Sequence, residues 1–286
     1  MELFRYSSML VVLIAIFIEF VIDQKEQKHL YKKKEVLENI LIGLGLFFIT
    51  IFSKALMYVC FDLMYSVRLF TIDRQWSVFV VLFLLSDLSF YWFHRTSHSV
   101  GWFWSSHYVH HSAEQYNLLV SFRQSWTGQI SGQPLFWMWL PFMGFGPSWV
   151  YIAYAIGLIY QSWLHTELIG KLHPVFEFIF NTPSHHRVHH GSNMKYLDKN
   201  LGGIFIFWDR IFGTFQKEEE KPDYGLTEKK EFNSVTSLMF HGWKDLFTKV
   251  YRAKNIFTKL KYLIKPPGWS HDGSSKTVKQ MRQESG

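Results

Sequence analysis

Cysteine is almost absent from this sequence of 286 residues, since Cys60 is the only one. A single cysteine excludes an internal disulfide, a CxxC zinc ribbon and a cysteine-ligated iron–sulfur cluster within the chain. Charged residues are also scarce at 19%, whereas 48% of the residues are hydrophobic, which excludes disorder throughout. The net charge is +7, but the lysines and arginines do not alternate with aromatic residues on one face, so we do not expect a nucleic-acid partner.

Long apolar runs fill much of the chain before residue 165. Residues 3–22, 36–61 and 76–93 each come close to or exceed the roughly 20 residues that cross a bilayer. We expect the first run to be a retained span, because it lacks the basic start and small-residue cleavage site of a signal peptide. Two shorter runs, 134–145 and 149–164, are expected to form a hairpin that either crosses the membrane or dips into it and returns.

The sequence therefore predicts an all-α integral membrane protein with four to five membrane-embedded helices and a cytosolic helical cap that carries a histidine-rich di-metal site. Basic residues next to the spans predict its orientation, because they favour the cytoplasmic side. The loop after the first run has five lysines, and the loop after the second has only Arg68 and Arg74. We expect the lysine loop, the histidine-rich segments and the C-terminus to be cytoplasmic.

Histidines are concentrated in one part of the chain, with eleven of the 14 between His94 and His190. Even spacing would give about five in that window by simple proportion. Nine of them form a pattern of one pair four residues apart, two HxxHH motifs and one isolated residue, namely His94 and His98, then His107, His110 and His111, then His186, His189 and His190, and His165. Residues three and four apart share one face of a helix, so the pattern predicts imidazoles brought together on helices.

Neutral imidazole is the commonest protein ligand for iron, zinc and copper. Nine imidazoles are too many for one ion, so the sequence predicts two metal ions. A structural zinc site would be closed by four ligands, whereas two irons with mostly neutral ligands keep open positions for dioxygen. We therefore expect two redox-active iron ions, with no catalytic residues beyond the metal site.

Several other polar residues are expected to act as further ligands or to orient the imidazoles. Asp87 is a carboxylate inside the third run, and we expect it to hydrogen-bond a ligating imidazole or a tyrosine. The remaining candidates of this kind are His185, Glu114 and Asn117. Six residues could orient a ligand or bind the reductant, but a solvated surface role is at least equally expected for them, namely Glu114, Asn117, Arg123, Asp198, Asn200 and Asp209. Isolated histidines such as His173 are expected to have no role at the site.

Three histidine stretches set among membrane spans resemble those of the fatty acid hydroxylase superfamily, which includes sterol desaturases and related membrane di-iron oxygenases. They are HRTSH at 94–98, HYVHH at 107–111 and HHRVHH at 185–190. The segments HHSAEQYNLLVSFRQS and DKNLGGIFIFWDRIFGTF are similar to the branch of that family that acts on alkylglycerols. Some relatives have two histidines four apart at the end of the hairpin, but Gln161 occupies the earlier position here.

The resemblance covers about residues 36–215 and has several implications. It implies a helical membrane fold with a cytosolic cap, a di-iron site with eight or nine histidines, and oxygen-dependent attack on lipid C–H bonds. It also implies tetrahydrobiopterin as an external reductant, although the basic tail could instead attract a small redox protein. We expect residues 1–35 to form the first span and basic loop, 36–216 the catalytic membrane domain, and 217–286 a basic cytosolic tail whose end is disordered. Residues 168–180 are expected to lie on the membrane surface as an amphipathic helix.

We interpret the sequence as a membrane-bound hydroxylase of an alkylglycerol, fatty acyl or sterol-like lipid. A lipid desaturase or carotenoid-type hydroxylase would use the same metal core, and only its products would distinguish it. A non-catalytic membrane metal-binding or transport protein would need polar residues along several spans, whereas the histidines here fall on one side. Heme ligation needs two axial histidines and leaves the other seven unexplained.

Overall fold

The computed structural model describes the backbone of residues 2–285 and the side chains of residues 10–284. Within that part of the chain the protein is helical, and the β contacts are isolated bridges, Phe180 with Phe205 and Gly191 with Tyr224. Short 3-10 helices lie at Leu118–Phe122 and Gln133–Phe136. The α-helices are α1 (Glu2–Glu26), α2 (Lys33–Ser66), α3 (Trp76–Ser99), α4 (Gly101–His111), α5 (Trp139–Met143), α6 (Pro147–Ser162), α7 (Pro174–Ile179), α8 (Pro183–His190), α9 (Phe207–Phe212), α10 (Val235–Arg252), α11 (Ile256–Ile264) and α12 (Val278–Ser285).

In the described residues, α2 and α3 are long and apolar enough to cross a bilayer. They have 34 and 24 residues, and their most apolar stretches reach mean hydropathies of 2.2 and 1.7. Only 11% and 28% of those stretches are buried inside the protein, so most of their apolar surface faces outward. The first apolar run falls in α1, although the side chains of residues 3–9 lie outside the described residues.

Only one of the two segments of the expected hairpin forms a long helix. Residues 149–164 fall mainly in α6, which begins at Pro147, where a missing N–H costs no hydrogen bond. Residues 134–145 form only a 3-10 turn and the five-residue α5, which is followed by Gly144 with φ of 116°. Glycine is needed there, because a Cβ would lie 2.3 Å from the carbonyl oxygen of Phe70. Backbone turns therefore take the place of a long helix in the other segment.

Two other expectations differ from the structure. The amphipathic helix expected over residues 168–180 is reduced to α7, because Pro174 can start a helix but cannot continue one from before it. The tail beyond Pro266, expected to be disordered, contains α12, and Arg282 on this helix donates to the carbonyl oxygens of Met194 and Leu197. These hydrogen bonds hold the tail against the segment that follows α8.

Candidate metal centre

Four chain segments bring the patterned histidines to one end of α3. The last turns of α3 carry His94 and His98, and α4 starts two residues later, after an extended Val100 that turns the chain. The short α8 begins at Pro183, with Thr182 as its N-cap, and carries the second HxxHH motif. His165 follows α6 and is 3% exposed. The helical faces predicted from the spacing are therefore present, and all nine patterned histidines meet.

The nine imidazoles form two groups, and within each group one nitrogen of every member lies within 4.8 Å of the others. The five-imidazole group consists of His94, His98, His107, His111 and His189, and the four-imidazole group of His110, His165, His186 and His190. Each HxxHH motif is divided in the same way. Its first and last histidines, four residues apart, share a group, and its middle histidine belongs to the other, so α4 and α8 each contribute to both groups.

Imidazole nitrogens within each group lie at the spacing of ligands around a shared ion. Nε2 of His107 lies 3.1 Å from Nε2 of His94 and 3.1 Å from Nε2 of His111. In the other group, Nε2 of His165 lies 3.2 Å from Nε2 of His110 and 3.0 Å from Nε2 of His186. Two nitrogens bound at about 2.1 Å and at right angles to each other are roughly 3 Å apart.

Three imidazole Nε2 atoms in the two groups have no hydrogen-bond partner in the described part of the chain. Nε2 of His98, His189 and His190 is buried and accepts or donates no hydrogen bond among the described residues. A buried polar atom left in this state costs about 1–3 kcal/mol. A bound cation would give each of these nitrogens a partner, so the side chains fit a metal pair.

Four imidazoles form a hydrogen bond through Nδ1 with an oxygen atom outside the two groups. These hydrogen bonds join His94 Nδ1 to Leu201 O (2.9 Å), His110 Nδ1 to Arg123 O (3.2 Å), His189 Nδ1 to Lys199 O (3.0 Å) and His98 Nδ1 to Asp198 Oδ1 (3.2 Å). A carbonyl oxygen can only accept, so Nδ1 carries the proton in His94 and His189. Nε2 is then the unprotonated nitrogen, as metal ligation requires.

Burial keeps seven of the imidazoles neutral. The pKa values of His107, His110, His111, His186, His189 and His190 are held well below the usual range, first by burial and then by neighbouring imidazoles. Burial lowers the pKa of His165 to about 3. All seven therefore have an electron pair available for a metal at neutral pH.

Residues 201–205, here called the support loop, position His94 through the carbonyl group of Leu201. The carboxylate of Asp209 accepts hydrogen bonds from the backbone N–H groups of Leu201 (2.7 Å) and Gly202 (2.7 Å), and from the Thr214 hydroxyl (2.6 Å). Burial raises the pKa of Asp209 to about 6. Asp209 thus orients the His94 imidazole through the backbone of Leu201. From the sequence alone, this role and a solvated surface role are equally expected.

Asp87 does not contact an imidazole or a tyrosine as expected. Its carboxylate accepts from the backbone N–H groups of Ile204 (2.8 Å) and Phe205 (3.1 Å) and from the indole of Trp208 (3.0 Å). The Asp87 carboxylate therefore fixes the other end of the support loop to α3. Its backbone partners lie 117 and 118 residues away in the chain.

The remaining candidates lie outside both groups. His185 shares a hydrogen bond between its Nδ1 and the Thr182 hydroxyl (3.3 Å), and its carbonyl oxygen accepts from Asn200. The side chain of Glu114 is exposed. Asn117 caps a 3-10 helix and donates to the carbonyl oxygen of Leu30 (2.6 Å). None of these three residues has a ligand atom in either group.

Arg123 and Glu19 have larger supporting roles than the sequence indicated. The buried Arg123 donates to the carbonyl oxygen of Val109 (3.2 Å), which fixes α4, while its own carbonyl oxygen holds His110. Glu19, only 2% exposed, accepts from the hydroxyl of Thr166, the neighbour of His165. The available signal was a carboxylate near the end of an apolar run.

A cavity of about 860 Å³ opens beside the two imidazole groups. His94, His107, His110, His165 and His186 form part of its wall. The rest of the wall comes mainly from α2, α3, α6 and residues 121–133. Its surface is mainly apolar, with amides, hydroxyls and Lys54 among the apolar side chains. Such a cavity can hold a long apolar ligand with one end beside the imidazoles.

Comparisons with known proteins agree with this site. Residues 79–214 match the profile of the fatty acid hydroxylase family. Alkylglycerol monooxygenase of Homo sapiens is 42% identical over 205 residues, which are 71% of this chain and 45% of that protein. The Danio rerio protein of the same name is 42% identical over 198 residues, 69% of this chain and 44% of its own length.

An ornithine lipid hydroxylase of Rhizobium tropici is 27% identical over 157 residues, 51% of this chain and 44% of that protein. The chain thus spans a little under half the length of these relatives. No solved structure is significantly similar to the chain.

Proposed function

Because the chain belongs to the fatty acid hydroxylase family, we propose that it is a membrane-bound, oxygen-dependent di-iron monooxygenase that hydroxylates a lipid C–H bond. The observation that carries this proposal is the position of the two imidazole groups, which border a largely apolar cavity. Its relatives include alkylglycerol monooxygenases, so an alkylglycerol is the first substrate to test.

The five-imidazole group would hold one iron and the four-imidazole group the other. When bound, the irons supply activation of dioxygen and removal of a hydrogen atom from the substrate carbon. Neutral imidazoles would leave the positive charge of both ions uncompensated by the protein. The outer oxygens of Leu201, Arg123 and Lys199 keep three rings in the orientation that presents Nε2.

The cavity would bind the lipid chain and exclude water from the reacting carbon. Burial of each methylene contributes about 0.8 kcal/mol, so a long alkyl chain supplies most of the binding energy. Gln124 and Gln161 lie in the same wall as the imidazoles. Their amides offer hydrogen bonds to a polar group beside the oxidised carbon, which would fix the position of attack.

For the topology, we propose that the protein is multi-pass, with four to five membrane-embedded helices, and that its histidine site and C-terminus face the cytoplasm. The support is the lysine-rich segment between α1 and α2, which favours the cytoplasmic side. We propose an external electron donor, tetrahydrobiopterin or a small redox protein. Each hydroxylation consumes two electrons beyond those of the C–H bond, and Cys60 alone cannot hold an iron–sulfur cluster.

The test is oxidation of defined lipids by the purified protein in lipid nanodiscs, with iron, tetrahydrobiopterin and ¹⁸O₂. An alkylglycerol should give a product whose new oxygen carries the label, or the aldehyde formed when a hydroxylated ether collapses. His165→Ala should abolish the product, and His173→Ala should not. An unsaturated product without label would replace the hydroxylase proposal with a desaturase, and absence of any oxidised lipid across lipid classes would contradict both.

A further inference from the structure

Helices α10 and α11 expose apolar side chains on the surface of the protein. Tyr251 is 87% exposed and Phe257 is 73% exposed, although both are large aromatic residues. With Phe240, Phe247, Ile256 and Ile264, each more than two-fifths exposed, they form what we call the apolar stripe. Single exposed apolar residues are ordinary, but a set of six on two consecutive helices marks an interaction site.

The core does not need the apolar stripe. The other faces of these helices already bury Leu238, Met239 and Leu246 from α10 and Tyr262 from α11. Gly242 brings α10 so close to α4 that a Cβ there would lie 2.6 Å from the carbonyl oxygen of Ser105. Each helix therefore has one apolar face in the core and a second one outside it.

Basic residues accompany the apolar stripe. Residues 235–265 contain seven Lys or Arg and one acidic residue, Asp245. Within the described residues of this segment, Lys249 is the side chain that forms an ion pair, with Asp245 at 2.7 Å. Lys244, Lys254 and Lys261 are exposed. The surface is thus both apolar and strongly cationic, the combination found on helices that lie at anionic bilayer surfaces.

The position of α11 places this surface at the end of a membrane span. The backbone N–H of Gly101, two residues after α3 ends, donates to the carbonyl oxygen of Lys265 at 2.9 Å. A Cβ at Gly101 would lie 2.6 Å from the carbonyl oxygen of Tyr262, so the contact is close. Trp102 then packs on Trp243 of α10, with ring centroids 4.8 Å apart. Both helices are fixed where α3 leaves the apolar layer.

We infer that α10 and α11 bind the surface of an anionic phospholipid bilayer. The apolar stripe enters the boundary between headgroups and acyl chains, and the surrounding lysines and arginine contact the lipid phosphates. The inference rests on α3 crossing the membrane and is independent of the chemistry at the metal centre. An acidic soluble protein would match the charge, but continuity with a membrane span and exposed aromatic side chains favour the lipid surface.

The experiment uses the full chain with Cys60→Ser, reconstituted in vesicles and spin-labelled at Tyr251→Cys. In vesicles containing phosphatidylserine, the label should be accessible to molecular oxygen and protected from a water-soluble nickel chelate. A label at Lys229→Cys, which is exposed outside both helices, serves as the matched control and should be accessible to the chelate. In pure phosphatidylcholine, protection at position 251 should decrease.

Charge and apolar variants test the two components separately. One basic residue near an anionic surface changes the ratio of membrane-bound to unbound helix about fivefold. The double variant Lys254→Gln, Lys261→Gln should therefore lower that ratio for α10 and α11 roughly 25-fold. Phe257→Ser should reduce protection in both lipid compositions. Equal chelate accessibility at positions 251 and 229 in every vesicle would overturn the inference. Protection that appears only when an acidic protein is added would also overturn it, in favour of a protein partner.

Discussion

Replacing Asp209 with alanine should loosen the support of His94 without removing a proposed metal ligand. Asp209 is fully buried, and its carboxylate accepts from the N–H groups of Leu201 and Gly202 at 2.7 Å each. Alanine leaves both N–H groups without an acceptor, which costs about 1–3 kcal/mol for each. We therefore expect a loss of roughly 2–6 kcal/mol of stability, concentrated in the support loop.

The effect should extend to metal retention, because the carbonyl oxygen of Leu201 orients His94. Loss of such an outer partner typically weakens metal binding by about 10- to 100-fold. The assay loads the protein with iron in nanodiscs and measures the iron retained against increasing chelator, together with thermal unfolding of the metal-free protein. Chelator should remove iron from Asp209→Ala at a concentration lower by that factor.

Thr214→Val is the matched control for Asp209→Ala. It removes one hydrogen bond to the same carboxylate and one to Tyr91, but leaves both backbone bonds to the support loop intact. It should cost about 1–2 kcal/mol for the two bonds and leave iron retention unchanged. If Asp209→Ala retained iron as well as Thr214→Val does, the support loop would not position His94, and the reasoning would be wrong.

Three further predictions concern the metal pair, the cavity and the reductant. His165→Ala should lower bound iron from two ions to about one per chain by elemental analysis, because His165 lies on neither of the helices, α4 and α8, that contribute to both groups. The control His173→Ala should retain both ions. Equal loss of iron in the two variants would contradict the assignment. Gly45→Ala should impair turnover of long-chain lipids while iron content stays unchanged, because the added Cβ would lie 2.3 Å from the Trp126 ring in the cavity wall. The control is Gly170→Ala, whose added Cβ would meet no atom within 4 Å. Equal kinetics in the two variants would contradict the cavity's role. The iron-loaded protein should not sustain multiple turnovers with lipid and dioxygen until a reductant is added, and sustained product formation without one would refute the monooxygenase proposal.

The sequence was sufficient to predict the imidazole cluster because the relevant rule is local. Histidines three and four residues apart share a helical face, and α3, α4 and α8 follow that rule. The division into two groups was not predicted, because it depends on how α4 and α8 face each other. Adjacent residues such as His110 and His111 point about 100° apart on a helix, so packing between helices decides which group each joins.

Partners from distant backbone could not be predicted from spacing. The sequence predicts that Asp87 hydrogen-bonds an imidazole or a tyrosine, but its backbone partners lie in the support loop, more than 100 residues later in the chain. Backbone groups have no sequence signature, since every residue except proline offers the same donor and acceptor. The shortened α7 differs: Pro174 was visible in the sequence, and its effect on residues 168–173 was underestimated.

The way each HxxHH motif is divided between the two groups limits how the length of this chain can change in evolution. One residue inserted inside α4 or α8 would rotate the histidines on one side of the insertion by about 100° relative to those on the other. Because both helices contribute to both groups, one such insertion would disrupt two coordination shells at once. Insertions between α4 and α6, or after α9, would leave both helices intact. We therefore expect natural length variation in the connecting segments, while the distance between the histidines within each motif stays constant.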